Sequence, residues 1–211
     1  MTPSVAHLCG IDNGTHRAAR TRRVNVVAPV AQTATLYSFD IELADVDRGV
    51  YATLAFRIAQ HPSEAPDSLV ARVLAYCCEY TEGIQFSAGG LSDPDEPPLS
   101  VRDTTGRLLV WIDIGVPDAP RLHKASKAAP RVAIYTHKDP QRLLREVENE
   151  RIHRKELLEI YAIDRELLAA WTRHLDRRMK LDLSISDGQI LAVLSDATLT
   201  GSVERLALPA D

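Results

Sequence analysis

Long apolar runs are missing from this chain of 211 residues, and so are the signatures of most enzyme classes. No segment approaches the roughly 18 consecutive apolar residues of a membrane-crossing helix, so no membrane partner is expected. Cysteine is scarce, with three residues of which two are adjacent as Cys77-Cys78. That excludes a disulfide framework and a Cys-x-x-Cys metal site, and it points to a reducing, cytoplasmic compartment. Positive charge is not in excess. A formal net charge of −4 argues against a general nucleic-acid coat but leaves room for a local basic groove. The chain has no Gly-x-x-x-x-Gly-Lys-Ser/Thr phosphate loop, no Rossmann glycine triplet, no His-Glu-x-x-His and no Gly-x-Ser-x-Gly. The seven histidines are scattered without ligand spacing. No internal repeat or low-complexity tract is present.

What is present suffices for one core. Forty-five per cent of the residues are hydrophobic and 26% are charged, an ordinary globular balance. Residues 1–32 stand apart, with Arg17, Arg20, Arg22 and Arg23 against Asp12 and no apolar period. They are expected to form a disordered extension before a single domain over 33–211. Val24–Ala31 loosely imitates a signal peptide, but Asn25 and Pro29 interrupt it and the basic block lies too far from Met1.

Periodicity places the elements. Thr35 to Leu43 and Val50 to Ile58 alternate apolar and polar residues around a turn at Asp45–Gly49, which predicts a long hairpin. A helix should open at His61-Pro62-Ser63-Glu64 with Ser63 as its cap and end near Gly83. Short strands are expected at Ile84–Ser87 and Leu99–Arg102, with a loop rich in glycine, proline and acid between them. Val116–Pro120 leads into a short helix ending at Pro130, with Lys124 and Lys127 on one face. Then come a strand at Arg131–Thr136, a helix from Asp139-Pro140 to about Arg154 and a strand at Leu157–Ile163. Asp164 caps a helix carrying Leu167, Leu168 and Trp171. A last hairpin joins Met179–Ile185 to Ile190–Leu194 through Asp187-Gly188. The expected class is α/β: a mixed sheet with helices packed on it.

One stretch stands out chemically. Leu108–Gly115 reads as a strand buried on both faces, yet it contains Asp113. A carboxylate there costs several kcal/mol unless it is paired or lies at the wet end of the strand. Asp95 and Glu96 precede the neighbouring strand and Glu64 begins the helix before, so paired strands could bring two to four carboxylates together. Such a cluster repels itself unless a cation intervenes. Mg²⁺ or Mn²⁺ suits carboxylates plus water, and Lys124 or Lys127 could supply a fixed charge beside it. A metal-activated water next to a lysine is suited to hydrolysing a phosphodiester. Each of these residues also has a plainer account. A glutamate at a helix start gains roughly 0.3–1 kcal/mol from the helix dipole alone, loop acids are usually solvated, and a buried ion pair would equally satisfy Asp113.

His61-Pro62-Ser63-Glu64, Asp95-Glu96-Pro97, Trp111–Pro117 and Arg121-Leu122-His123-Lys124-Ala125 resemble the YaeQ family of bacterial proteins, over about Thr33 to Pro209. The resemblance implies a fold like the PD-(D/E)XK nucleases, the restriction-endonuclease-like superfamily, whose core runs helix, three strands, helix, strand. Pro94-Asp95 then stands for the first half of the nuclease motif and Asp113-Ile114 for the second, with Glu64 as the helix acid. Gly115 stands where the lysine should be, and Lys124, or next Lys127, on the following helix is the implied replacement. The resemblance thus implies a Mg²⁺ or Mn²⁺ site at Glu64, Asp95, Glu96 and Asp113, with Asp95, Asp113, Lys124 and Lys127 as the catalytic set and nucleic acid as the substrate class. The rival expectation is a non-catalytic module on the same fold that binds nucleic acid or protein.

Overall fold

The computed structural model describes residues 34–87 and 95–208. It opens on the expected hairpin: β1 (Thr35–Asp45) and β2 (Val50–Gln60) pair antiparallel from Thr35↔Gln60 to Asp45↔Val50 without a break. Alternation builds it, with Phe39, Ile41, Leu43, Leu54 and Ile58 buried on one face and Asp40 and Glu42 exposed on the other. Gly49, at φ +66°, closes the turn in a conformation that disfavours a side chain.

Helix α1 (Pro66–Cys78) is hidden almost all round, with Leu69–Ala75 and Cys77 buried. A helix without a wet face has to be enclosed. Ser63 does not cap it: Ala65 holds the N-cap position and Pro66 starts the first turn, while Ser63 bonds the ring of His61. Proline serves there because the first helical N–H has no partner to lose. Strands β3 (Ile84–Phe86), β4 (Leu99–Arg102) and β5 (Leu108–Ile114) follow as an antiparallel meander. Next come α2 (Ala119–Ala128) and β6 (Arg131–Thr136), parallel to β5. The expected order of helix, three strands, helix, strand is therefore present.

Helix α3 (Pro140–Asn149) stops well short of Arg154. Arg154 instead turns the chain at φ +49° and sends its guanidinium to the carbonyls of Ser126 and Ala129 at the end of α2. Strand β7 (Leu158–Ile163) lies parallel to β6, and Asp164 caps α4 (Arg165–Arg173) through the N–H groups of Glu166 and Leu167. The last hairpin is β8 (Arg178–Ser186) with β9 (Gln189–Leu194).

Two features join the halves, and neither was visible beforehand. β1 pairs parallel with β8, far along the chain. A tenth strand, β10 (Thr198–Leu206), pairs with β9 through its first half and with β7 through its second. The result is one sheet in the order β2-β1-β8-β9-β10-β7-β6-β5-β4-β3. It curls until it is nearly closed around α1: Phe56 of edge strand β2 and Phe86 of edge strand β3 both pack on Tyr76, their ring centroids 5.2 Å apart. The inner core holds α1 and α4; α2 and α3 cover β5, β6 and β7 from outside through Trp111, Leu122, Ile134, Leu143 and Ile160. The mixed α/β class holds, but the sheet is larger and more closed than a flat sheet with flanking helices.

Candidate functional site

Strand alternation decides where Asp113 points. Ile112 enters the inner core beside α1, whereas Trp111 enters the outer core under α2, and Asp113 follows Trp111. The carboxylate is 2% exposed. Its Oδ2 accepts from Trp111 Nε1 at 2.7 Å, and its Oδ1 accepts from Arg121 Nε at 2.8 Å. Arg121 comes from the first turn of α2, whose cap Asp118 accepts from the Arg121 N–H. The guanidinium also donates to the Glu96 carbonyl at 2.9 Å and lies 5.4 Å from the Trp111 ring centroid. One arginine thus ties β5, α2 and the chain before β4 together. Burial pushes the Asp113 carboxyl up from its ordinary range, and Arg121 and the indole N–H oppose it.

Glu64 is equally committed. It stands just before α1 with both carboxylate oxygens on Arg72, at 2.9 and 2.8 Å, and also accepts from the His61 N–H. Arg72 is 1% exposed and donates besides to the Ala59 carbonyl. Burial pushes Glu64 up and pulls Arg72 down, and each partner offsets the other's shift. Asp95 forms an ion pair with Lys124 in which both side chains are exposed, and the lysine holds the carboxyl below its ordinary value. The Glu96 side chain accepts from Ser87 Oγ. Lys127 lies exposed in the last turn of α2, where a cation suits the helix dipole. Pro94 lies outside the described residues.

Of the expected site, then, Lys124 and Asp95 meet, and Glu96 and Asp113 share Arg121. Among the described residues no group of three or more carboxylate, histidine or cysteine side chains is placed to hold a metal ion. A Mg²⁺ ion needs carboxylate oxygens free to face it. Asp113 and Glu64 have theirs occupied by buried donors, so this donor set does not fit such an ion as arranged.

Sequence reasoning missed both arginines. Arg72 sits in an apolar helix as its one charge beyond the first turn, a cue that a buried acid was near. Trp111 and Asp113, two apart on a strand, share a face, so the indole was a donor within reach. A second polar cluster was also missed, on the inner face of the sheet. Arg131 donates to Glu79 and Glu159, Tyr135 donates to Glu79, Tyr161 donates to Glu159, and the two tyrosine rings stack 4.8 Å apart. Glu79, Arg131, Tyr135 and Tyr161 line a cleft of about 180 Å³ with Asp45, Asp47 and Arg48. Glu79 and Glu159 both have Arg131 as their cation, so the cluster reads as a clamp joining α1, β6 and β7. At the end of β6, His137 is buried with Nε2 3.5 Å from Asp67 and no protein partner for Nδ1. Burial pushes it down to about 4.

The fold defines a class: mixed α/β proteins with a large, nearly closed sheet wrapped on α1 and α4 and covered outside by two more helices. The YaeQ family model matches residues 30–203, and the chain belongs to that family. It is 32% identical over 162 residues to the uncharacterised YaeQ protein of Escherichia coli K12, covering 76% of this chain and 89% of that one. The uncharacterised YaeQ protein of Salmonella typhi is 32% identical over 169 residues, 80% of this chain and 92% of the relative. The YaeQ crystal structure from Xanthomonas axonopodis pv. citri superposes with a TM-score of 0.76 at 30% identity, over 84% of this chain and all of that one. That from Pseudomonas syringae gives 0.73 at 31% identity, over 84% of this chain and 98% of the other.

Proposed function

We propose that this protein is a nucleic-acid-binding module on a nuclease-like scaffold, with its acid set converted to structural ion pairs. The observation that carries this reading is the occupation of both Asp113 oxygens by Arg121 and Trp111 at 2% exposure. The PD-(D/E)XK assignment itself rests on the order α1, β3, β4, β5, α2, β6 and on the local motifs. Gly115, at φ +88°, stands where that motif has its lysine.

Nucleic acid is the partner the outer face suits. Helix α2 exposes Lys124 and Lys127, and α3 exposes Arg142 and Arg145. The exposed Lys124–Asp95 pair is worth little, so a phosphate oxygen can replace the carboxylate at small cost. Metal-dependent phosphodiester hydrolysis is the second reading, favoured by the Asp95–Lys124 contact, an acid and a lysine meeting near the strand ends as such nucleases use them.

Fluorescence anisotropy of the full chain with labelled single-stranded and duplex DNA and RNA tests both, in EDTA and in Mg²⁺. Binding unchanged by EDTA is expected, with Lys124→Glu and Lys127→Glu weakening it and lowering the salt slope by about one each. No binding to any of the four at low salt overturns the module. Mg²⁺-dependent cleavage abolished by Asp113→Asn establishes the hydrolase instead.

A further inference from the structure

We infer that the outer face of β3 and β4 holds a ribose site, through which this protein takes single-stranded RNA in preference to DNA. The inference rests on the nucleic-acid reading above and names its substrate. Helices α2 and α3 cover β5, β6 and β7, and the outer core beneath them takes no described residue from β3 or β4. Register carries polar side chains to that bare face. Gln85 stands opposite Ser100, and Ser100 opposite Trp111, which points outward. Ser87 comes two residues after Gln85, and Arg102 two after Ser100. With Glu96 and Pro97 these residues line a groove of about 370 Å³.

The lining selects a sugar. Its hydroxyls, amide, guanidinium and carboxylate are the donors and acceptors that ligand hydroxyl groups need. Phe86 also borders the groove but turns its ring inward onto Tyr76, and no other aromatic among the described residues lines it for a base to stack on. The contacts already made there are long, Gln85 Nε2 to Ser100 Oγ at 3.5 Å and Ser87 Oγ to Glu96 at 3.3 Å. A ligand hydroxyl can therefore replace them at small cost. A carboxylate accepts a hydroxyl proton and repels a phosphate, so Glu96 admits the sugar and turns away the backbone anion. Its neighbour Asp95 marks the phosphate site. A phosphate that replaces the Asp95 carboxylate on Lys124 sets its own ribose beside Glu96, whose carbonyl Arg121 holds at 2.9 Å. A ribose turned into a groove has left the regular backbone of a duplex, which makes a single strand the fitting form. RNA, unlike DNA, brings a 2′-hydroxyl, donor and acceptor at once, for the carboxylate and the amide to engage.

The test is a ratio of affinities. One single-stranded oligonucleotide sequence, made as RNA, as DNA and as 2′-O-methyl RNA, is titrated with the full chain at low salt and read by fluorescence anisotropy. RNA should bind tighter than either of the others by about fivefold, the worth of one net hydrogen bond. Gln85 and Glu96 are both exposed, so their alanine variants should keep the fold. The double variant Gln85→Ala, Glu96→Ala should bring the RNA-to-DNA ratio to near one. Lys124→Glu should weaken RNA and DNA alike and leave the ratio in place, as a phosphate contact does. The inference is overturned if RNA and DNA bind equally, if 2′-O-methyl RNA binds as well as RNA, or if the preference survives the double variant. Binding of DNA without a preference for RNA sinks this inference alone. Absence of binding to all three, with duplexes also unbound, takes the nucleic-acid reading down with it.

Discussion

Arg121 Nε lies 2.8 Å from Asp113 Oδ1, and the aspartate is 2% exposed. That pair holds the first turn of α2 against β5, and it is the reason a carboxylate survives in so apolar a strand. Removing one partner of a buried ion pair costs about 3–5 kcal/mol, because the other charge is left uncompensated. Arg121→Ala should therefore lower unfolding free energy by that amount in urea titrations. The double variant with Asp113→Ala should lose clearly less than the sum of the two single losses.

The inner pair behaves differently with pH. In Arg72→Met, Glu64 keeps its burial and loses the guanidinium that offsets it. Its folded pKa then rises further above the unfolded one, so the folded state binds more protons and stability falls as pH rises through that interval. The variant should thus be less stable at pH 7 than at pH 5 by a wider margin than the parent. Urea midpoints at the two pH values measure this.

Elements that rest on local pattern were legible in the chain: both hairpins, the Asp164 cap and the order from α1 to β6. What escaped was long-range. Thr198–Leu206 has no clean alternation because β10 changes partner midway, from β9 to β7. The β1–β8 pairing carries no local mark at all. The site was half legible for the same reason. A carboxylate in an apolar strand announced that Asp113 needed a partner, but choosing among Arg121, Lys124 and Lys127 required knowing which face of α2 meets β5.

Gly201 lies where β10 meets α4. A methyl group there would stand 2.6 Å from Leu167 Cβ and 3.1 Å from Asp164 Oδ2. Leu167 Cβ is fixed to its backbone and cannot swing away, so Gly201→Ala should cost about 1–3 kcal/mol through overpacking. Thermal unfolding monitored at Trp171, buried in α4, would report it.

His137 gives the fold an acid-side weakness. Its folded pKa is depressed to about 4 from an ordinary 6.5, so its contribution is full above pH 6.5 and is lost as pH falls toward 4. That interval corresponds to about 3 kcal/mol at most. Lys138 and Arg165 oppose protonation, and Asp67 favours it. His137→Gln should flatten the decline between pH 6.5 and 4, read from urea titrations across the range.

The central claim is that Asp113 is a structural carboxylate, and divalent-metal titration tests it most directly. Calorimetry of Mn²⁺ and Mg²⁺ into the full chain, beside a folded Asp113→Asn variant, should show no saturable binding that the substitution removes. Saturable binding to the parent that is lost in Asp113→Asn would contradict the account and restore the metal-dependent hydrolase.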